Sequence, residues 1–488
     1  MRTESEGIRS GCASLLSPLC EAIGIGVGFS LPSAPESCQV WPMFFHPGQA
    51  ELEIERAATS LQAGLDARKR EGWCEDDHGP LQLFRSVTTR ERLAQIQQLP
   101  PALDNKEALL RWQAYLTIER VTWEDRVLAE VARQTVEHPV AGLGDLPWSI
   151  RSLVLQIIVA RNEAMRSRCA HGLTVASREA STAAVRWSMR RHAAACYLGI
   201  GPLRWLEAPV RGSELSCVVR SVFDATEDVA LASMGEGNNW EHSLWLGTAA
   251  DARHGWPAVL TPRWFRSVFG GWKPLEGLRI ELGPLCDAVC GASFARALER
   301  FGTAVYRACV RRTGDSFSRV HLPFDMGPAC YGALFASLLT SIPFLKRRLG
   351  LGTSAAKEQA WSLGLSLLLS LRMCAAQGAV ADAESPEEMM ERHVWGTARA
   401  LCASVPEETL GVVPRYDPEA QARLCGALRA AMLQRELVER FDDDWFDNPR
   451  AHEFLVSIDR TERTTLDGEH LGGALLAAKE LFVSLFHP

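Results

Sequence analysis

The residues with the greatest chemical capacity for their span lie between positions 240 and 272. Glu241, His242, Asp251 and His254 are interleaved there with Trp240, Trp245, Trp256, Trp264 and Trp272. Carboxylates and imidazoles exchange protons near neutral pH, so the four polar residues form a candidate acid–base set for hydrolysis. Five indoles within 33 residues suit two roles, since each joins a large apolar surface to one N–H donor. They can stack on a flat ligand in a pocket, or they can anchor one lobe of the molecule on another. Packing carries more weight, because clustered aromatic residues more often build cores than binding boxes.

Other chemistry was sought by spacing. No two of the twelve histidines stand four apart, so the His-Glu-x-x-His helix of zinc peptidases is missing. The nearest approach is His452-Glu453-Phe454-Leu455-Val456. Valine stands where the second ligand belongs, so His452 and Glu453 read as a partly exposed pair in the first turn of a helix. No metal and no cofactor are expected. Gly24-Ile25-Gly26-Val27-Gly28 lacks the final spacing and the capped helix of a phosphate-binding loop. The Gly-x-Ser-x-Gly elbow and the Gly-Lys-Ser/Thr loop are also absent. The acidic run from Asp442 to Asp447 offers oxygen ligands to a hard cation but lacks calcium-loop spacing. It reads better as a solvated turn between helices, with Trp445 and Phe446 turned inward. Lys346-Arg347-Arg348 reads as a helix end, where cations face the carbonyl dipoles.

Composition narrows the function classes. The 488 residues are 47% hydrophobic and 23% charged, which describes an ordinary globular chain able to bury a large core. Fifty-two basic and 59 acidic residues leave a net charge of −7. No global positive field draws such a chain to nucleic acid or to an anionic membrane. Fourteen cysteines are scattered without a Cys-x-x-Cys pair and are expected to be reduced, mostly buried thiols. Glu4, Glu6 and Glu21 interrupt the first residues, which argues against a secretory signal and makes the cytoplasm the expected compartment. The longest mainly apolar run, Ala360 to Leu371, has 12 residues. About 20 are needed to span a bilayer, so no transmembrane helix is expected.

The elements that must position these residues are helical. Residues 1–45, with Gly24, Gly26, Gly28, Pro32 and Pro35, carry no helical period and read as a loose leader, with Met43 a candidate alternative start. Leu109, Trp112, Leu116, Trp123, Val127 and Val131 predict one long amphipathic helix. Ile150, Leu153, Val154, Ile157, Ile158 and Met165 predict a second, and a third runs from about Ser177 to Leu198, ending at Gly199. Glu214 to Ala232 reads as helical. Residues 235–290 are rich in Gly, Trp and Pro, with strand-like alternation only at Leu278 to Leu282. Helices return with the stripe Phe294, Leu298, Phe301 and Val305, with Gly314 as a stop. Ser385-Pro386-Glu387-Glu388 has the form of a capping box with proline at the first helical position, and Asp417-Pro418 and Asn448-Pro449 repeat the cap-then-proline device. Leu424, Leu428 and Met432 continue a buried face, as do Leu471, Leu475, Phe482 and Leu485. Residues 357–376 are apolar nearly all round, as befits a central helix.

Glu214 to Glu236, with its core Phe223-Asp224-Ala225-Thr226-Glu227-Asp228, and Arg440 to Leu455 resemble helical stretches of the oligopeptidase F type of M3 metallopeptidases. The resemblance covers about half the chain and does not extend to the family's zinc helix. It implies an all-helical, two-lobed body around a cleft, with zinc chemistry lost or never present, and carries over no catalytic residue.

The expected architecture is therefore mainly α: a leader at 1–45, an N-terminal lobe at 46–213 and a C-terminal lobe at 214–488 that includes the irregular 235–290. The expected function is a non-catalytic helical protein that binds a protein or small-molecule partner. A hydrolase using the dispersed set in the tryptophan-rich middle is the alternative. The two differ in placement, since an enzyme must bring His242, Asp251 or His254 within hydrogen-bonding reach of one another in a concave cleft.

Overall fold

A computed structural model describes residues 46–101, 103, 105–135, 137–139, 147–200, 214–235, 239–247, 261–269, 291–311, 317, 321–458 and 468–486. The description covers seventeen α-helices and one two-stranded ribbon, in which Glu137–Pro139 pairs antiparallel with Pro147–Ser149. The mainly α expectation is met. Asp251, His254, Trp256, Trp272, the leader, Gly314 and the alternation at 278–282 lie outside the described residues.

The first helices are α1 (Pro47–Glu71), α2 (Arg90–Gln97), α3 (Lys106–Val121) and α4 (Trp123–Thr135). The single long helix expected over 109–131 is two. Thr122 leaves the helical basin, its hydroxyl donates to the Ile118 carbonyl at 2.8 Å, and its own carbonyl accepts from the Arg126 amide at 3.0 Å. It thus ends α3 and begins α4, while Leu109, Leu116, Trp123, Val127 and Val131 still form one buried seam. α5 (Ile150–Val159) is capped by Ser149, and α6 (Glu163–Leu198) by Asn162, whose side chain accepts from the Met165 amide. Met165 therefore belongs to α6, which starts fourteen residues before the expected Ser177. It ends as expected at Gly199, whose φ of 68° is costly for a residue with a Cβ.

Next come α7 (Glu214–Met234), α8 (Trp240–Leu246), α9 (Pro262–Phe269), α10 (Gly291–Arg311), α11 (Met326–Ser337) and α12 (Ile342–Leu349). The middle segment thus carries two short helices. The last five are α13 (Thr353–Ala381), α14 (Pro386–Leu401), α15 (Ala420–Phe441), α16 (Pro449–Ser457) and α17 (Gly468–Phe486). Ser385 accepts from the Glu388 amide at 3.1 Å, and the Glu388 carboxylate reaches back to the Glu384 amide at 2.8 Å. Asn448 caps α16 in the expected way. Asp417 does not cap directly. It accepts from the Glu419 amide and pairs with Arg423 at 2.5 Å, so α15 begins two residues beyond the proline.

The central helix α13 supplies two cores. Its first turns, with Ala356, Ala360 and Leu363, join an aromatic cluster in which Phe265, Phe269, Phe301, Phe335, Phe344 and Phe446 interlock. Its later turns, from Leu365 to Ala379, join a second core built with α5, α6, α7, α15 and α17. Residues from both sides of position 213 meet in that second core. Among the described residues α13 is long and apolar enough to cross a membrane, as is the bent pair α11–α12 taken as one span, but 67% of the apolar window of α13 is buried inside the protein. That burial suits a core helix. All nine described cysteines are thiols, of which four are buried, two half-buried and three exposed, fewer buried than expected.

Candidate functional site

Two members of the expected acid–base set lie on α8. Glu241 is buried, and His242 Nδ1 lies 3.0 Å from Arg166 Nη2 of α6. A guanidinium only donates, so Nδ1 accepts and neutral His242 carries its proton on Nε2. The Arg166 guanidinium also lies over the Trp245 ring, 4.5 Å from its centroid, and donates to the Ala160 and Arg161 carbonyls. Arg166 therefore fastens α8 to the α5–α6 junction. Trp240 packs in the second core, and Trp264 sits edge-on to Phe265 and Phe294 beside the aromatic cluster. Among the described residues, His242 meets a cation instead of a carboxylate.

The remaining sequence candidates serve local structure. His452 is buried, not partly exposed: its Nε2 donates to the Phe446 carbonyl at 2.8 Å, and burial lowers its pKa to about 4. Trp445 and Phe446 turn into the core as expected. The acidic run also meets the basic cluster. Arg347 pairs with Asp444 at 2.6 Å, and Arg348 with Asp447. The polar positions of the Phe223–Asp228 stretch lock the central helix, since Arg372, fully buried, donates to Thr226 Oγ1 and Glu227 Oε2, both at 2.7 Å. Among the described residues no three His, Cys, Asp or Glu side chains converge as a metal site.

A different place emerges from tertiary packing. A cleft of about 550 Å³ is walled by α10, α11, α13, α15 and α17, with Val154 and Ile158 of α5 and Leu244 and Gly247 at the end of α8. Its size lies within the range of small-molecule sites. Close contacts hold the walls in place. A Cβ on Gly426 would meet Ala329 Cβ at 2.6 Å, so α15 rests directly on α11, and one on Gly247 would meet Leu369 at 2.1 Å. The floor comes from α13, where Ser366, Ser370 and Cys374 recur every fourth residue along one face of a largely apolar stretch of the helix. Ser370 is exposed in mid-helix because it looks into this open space.

Polar groups punctuate an apolar lining. Arg296, Glu299 and Thr303 project from α10, and Arg423 and Gln434 from α15. Thr303 is satisfied by the Pro328 carbonyl at 3.0 Å. Arg423 binds Asp417 and the Gln377 side-chain oxygen, yet among the described residues its Nε and Gln434 Oε1 are buried without a partner. Burial works against the charge of Arg423, but Asp417, Glu419 and Glu299 hold its pKa above the usual. Glu299 makes no hydrogen bond or ion pair among the described residues. It sits deep between helices, and desolvation raises its pKa despite the positive charges of Arg296, Arg423 and Arg300. Its residual exposure arises because it faces the cleft and not packed side chains. Burial likewise raises the Cys374 thiol, so the thiolate is disfavoured.

No sequence motif marks these residues. The serine spacing inside α13 was the one available signal; Glu299 stands beside a buried stripe and acquires its meaning only when α11, α13 and α15 close around it. No protein-family model matches the chain, and no curated protein matches it.

Proposed function

We propose that the chain is a non-catalytic binding protein that takes a small amphipathic molecule into the cleft among α10, α11, α13, α15 and α17. The observation that carries this reading is Glu299, a carboxyl without a partner among the described residues, on the wall of a 550 Å³ space. Burying an ionisable group without a partner is costly, so one kept facing an open, largely apolar space is placed to meet a ligand. Among the described residues the lining carries no histidine and one thiol, Cys374, whose thiolate burial disfavours, so the walls offer contacts and hydrogen bonds in place of an activated nucleophile. The likeness to oligopeptidase F enters only as a helical body around a cleft.

The test is titration of the full chain with Nile red, a neutral apolar dye, using two variants that fill the cleft from opposite walls, Ala333→Trp and Ser370→Trp. Saturable binding near one dye per chain, lost in both folded variants, is expected. Undiminished binding in both would overturn the reading.

A further inference from the structure

The polar wall of the cleft has a direction. Arg296 and Glu299 stand three residues apart on α10 and so share a face. Arg423 faces them from α15 and the Cys374 thiol from α13 on the same lining, and Glu299 and Arg423 act on one another electrostatically. These groups therefore form one pole. Arg296 is exposed on the lining and makes no ion pair among the described residues, while Arg423 retains a buried Nε–H without an acceptor. Glu299 is the one carboxyl at this pole, and burial works against its charge. The pole thus offers more donors than acceptors.

The remainder of the wall is largely apolar, with Val154, Ile158, Leu244, Leu371, Leu481 and Phe482, interrupted by Ser337, Ser366, Ser370 and Gln434. Arg423 and Gln434 are eleven residues apart on α15, a span of about 16 Å. The lining therefore follows α15 over that span, with Arg423 toward the helix's N-terminal end.

We infer that the ligand is an amphipathic acid, with one carboxylate received by Arg296 and the Arg423 Nε–H and an apolar body lying along α5, α8 and α17. This rests on the cleft being the binding site. A carboxylate supplies only acceptors and complements a donor-rich pole. An alkylammonium brings only donors and would meet the guanidiniums of Arg296 and Arg423 beside Glu299, and an alcohol leaves Arg296 without a counter-charge.

The deciding experiment is isothermal titration of the full chain at pH 7 with decanoate, decanol and decylammonium, in the wild type, Arg296→Gln, Ala333→Trp and Ser370→Trp. Circular dichroism identifies the folded variants. Decanoate is expected to bind one per chain, at least tenfold tighter than the other two, to weaken at least tenfold in Arg296→Gln and to be lost in the filled variants. If decanol or decylammonium binds as tightly and is lost on filling, the acid is the wrong class while the cleft remains the site. Decanoate affinity unchanged in Arg296→Gln overturns the placement of the carboxylate. If no probe binds in a way that filling abolishes, both the inference and the binding reading fall.

Discussion

Glu119 on α3 and Glu299 on α10 are both carboxylates set deep among helices, and the protein treats them in opposite ways. Glu119 is 1% exposed and is gripped by Arg191, itself fully buried, and by Arg126 at 2.6 Å. Burial alone would raise its pKa, but the two guanidiniums overcome that and hold it below 4.5. Glu299 feels three guanidiniums at longer range, bonds none of them, and its pKa rises. The first arrangement closes a gap between α3, α4 and α6. The second leaves a group facing open space, and that difference separates a structural ion pair from a candidate site.

The sharpest way to break this comparison is Glu119→Ala. It strands a buried Arg191, and chemical denaturation should record a loss of about 3–5 kcal/mol. A loss below about 1 kcal/mol would remove Glu119 as the structural member of the pair.

The next effect is on acid stability. His452 and His393 are buried, with pKa values lowered from 6.5 to about 4. Each contributes stability that is present above pH 6.5 and lost as pH falls towards 4, and Glu119 adds a loss below 4.5 as pH falls through its lowered value. The urea midpoint of the wild type should therefore fall continuously from pH 6.5 to pH 4, and a flat profile contradicts it.

Glu299 carries the opposite sign and the smallest effect. Its folded-state pKa is raised, so its contribution is present below 4.5 and lost as pH rises through the folded value. Glu299→Gln should match the wild type near pH 4 and exceed it towards pH 7. The gain should be at most about 1 kcal/mol, because the carboxyl is open to water in the cleft. Destabilisation at pH 7 would show that Glu299 has a structural partner after all.

Features set by near neighbours in the chain were legible. The capping box at Ser385, the stop at Gly199 and the inward turn of Trp445 and Phe446 each depend on a few adjacent residues. The break at Thr122 was not, because the apolar stripe runs through it unbroken and only the hydroxyl bond to Ile118 marks it. The tryptophan-rich middle drew attention by composition, yet Trp240 and Trp264 went to cores and His242 to Arg166. Arg166 lies 76 positions away, and no local pattern reports such a partner.

The sequence by itself determined the class of structure, the helix ends at Gly199, Ser385 and Asn448 and the central place of α13, since helical period, capping and apolar content act over a few turns. Only the tertiary structure decided that the Ser366, Ser370 and Cys374 face of that helix stays open, and that Glu299 looks into the opening while Glu119 is sealed by arginines. A carboxylate is the same group at both positions. Its pKa and its role follow from which distant side chains reach it, and those distances exist only once the helices have packed.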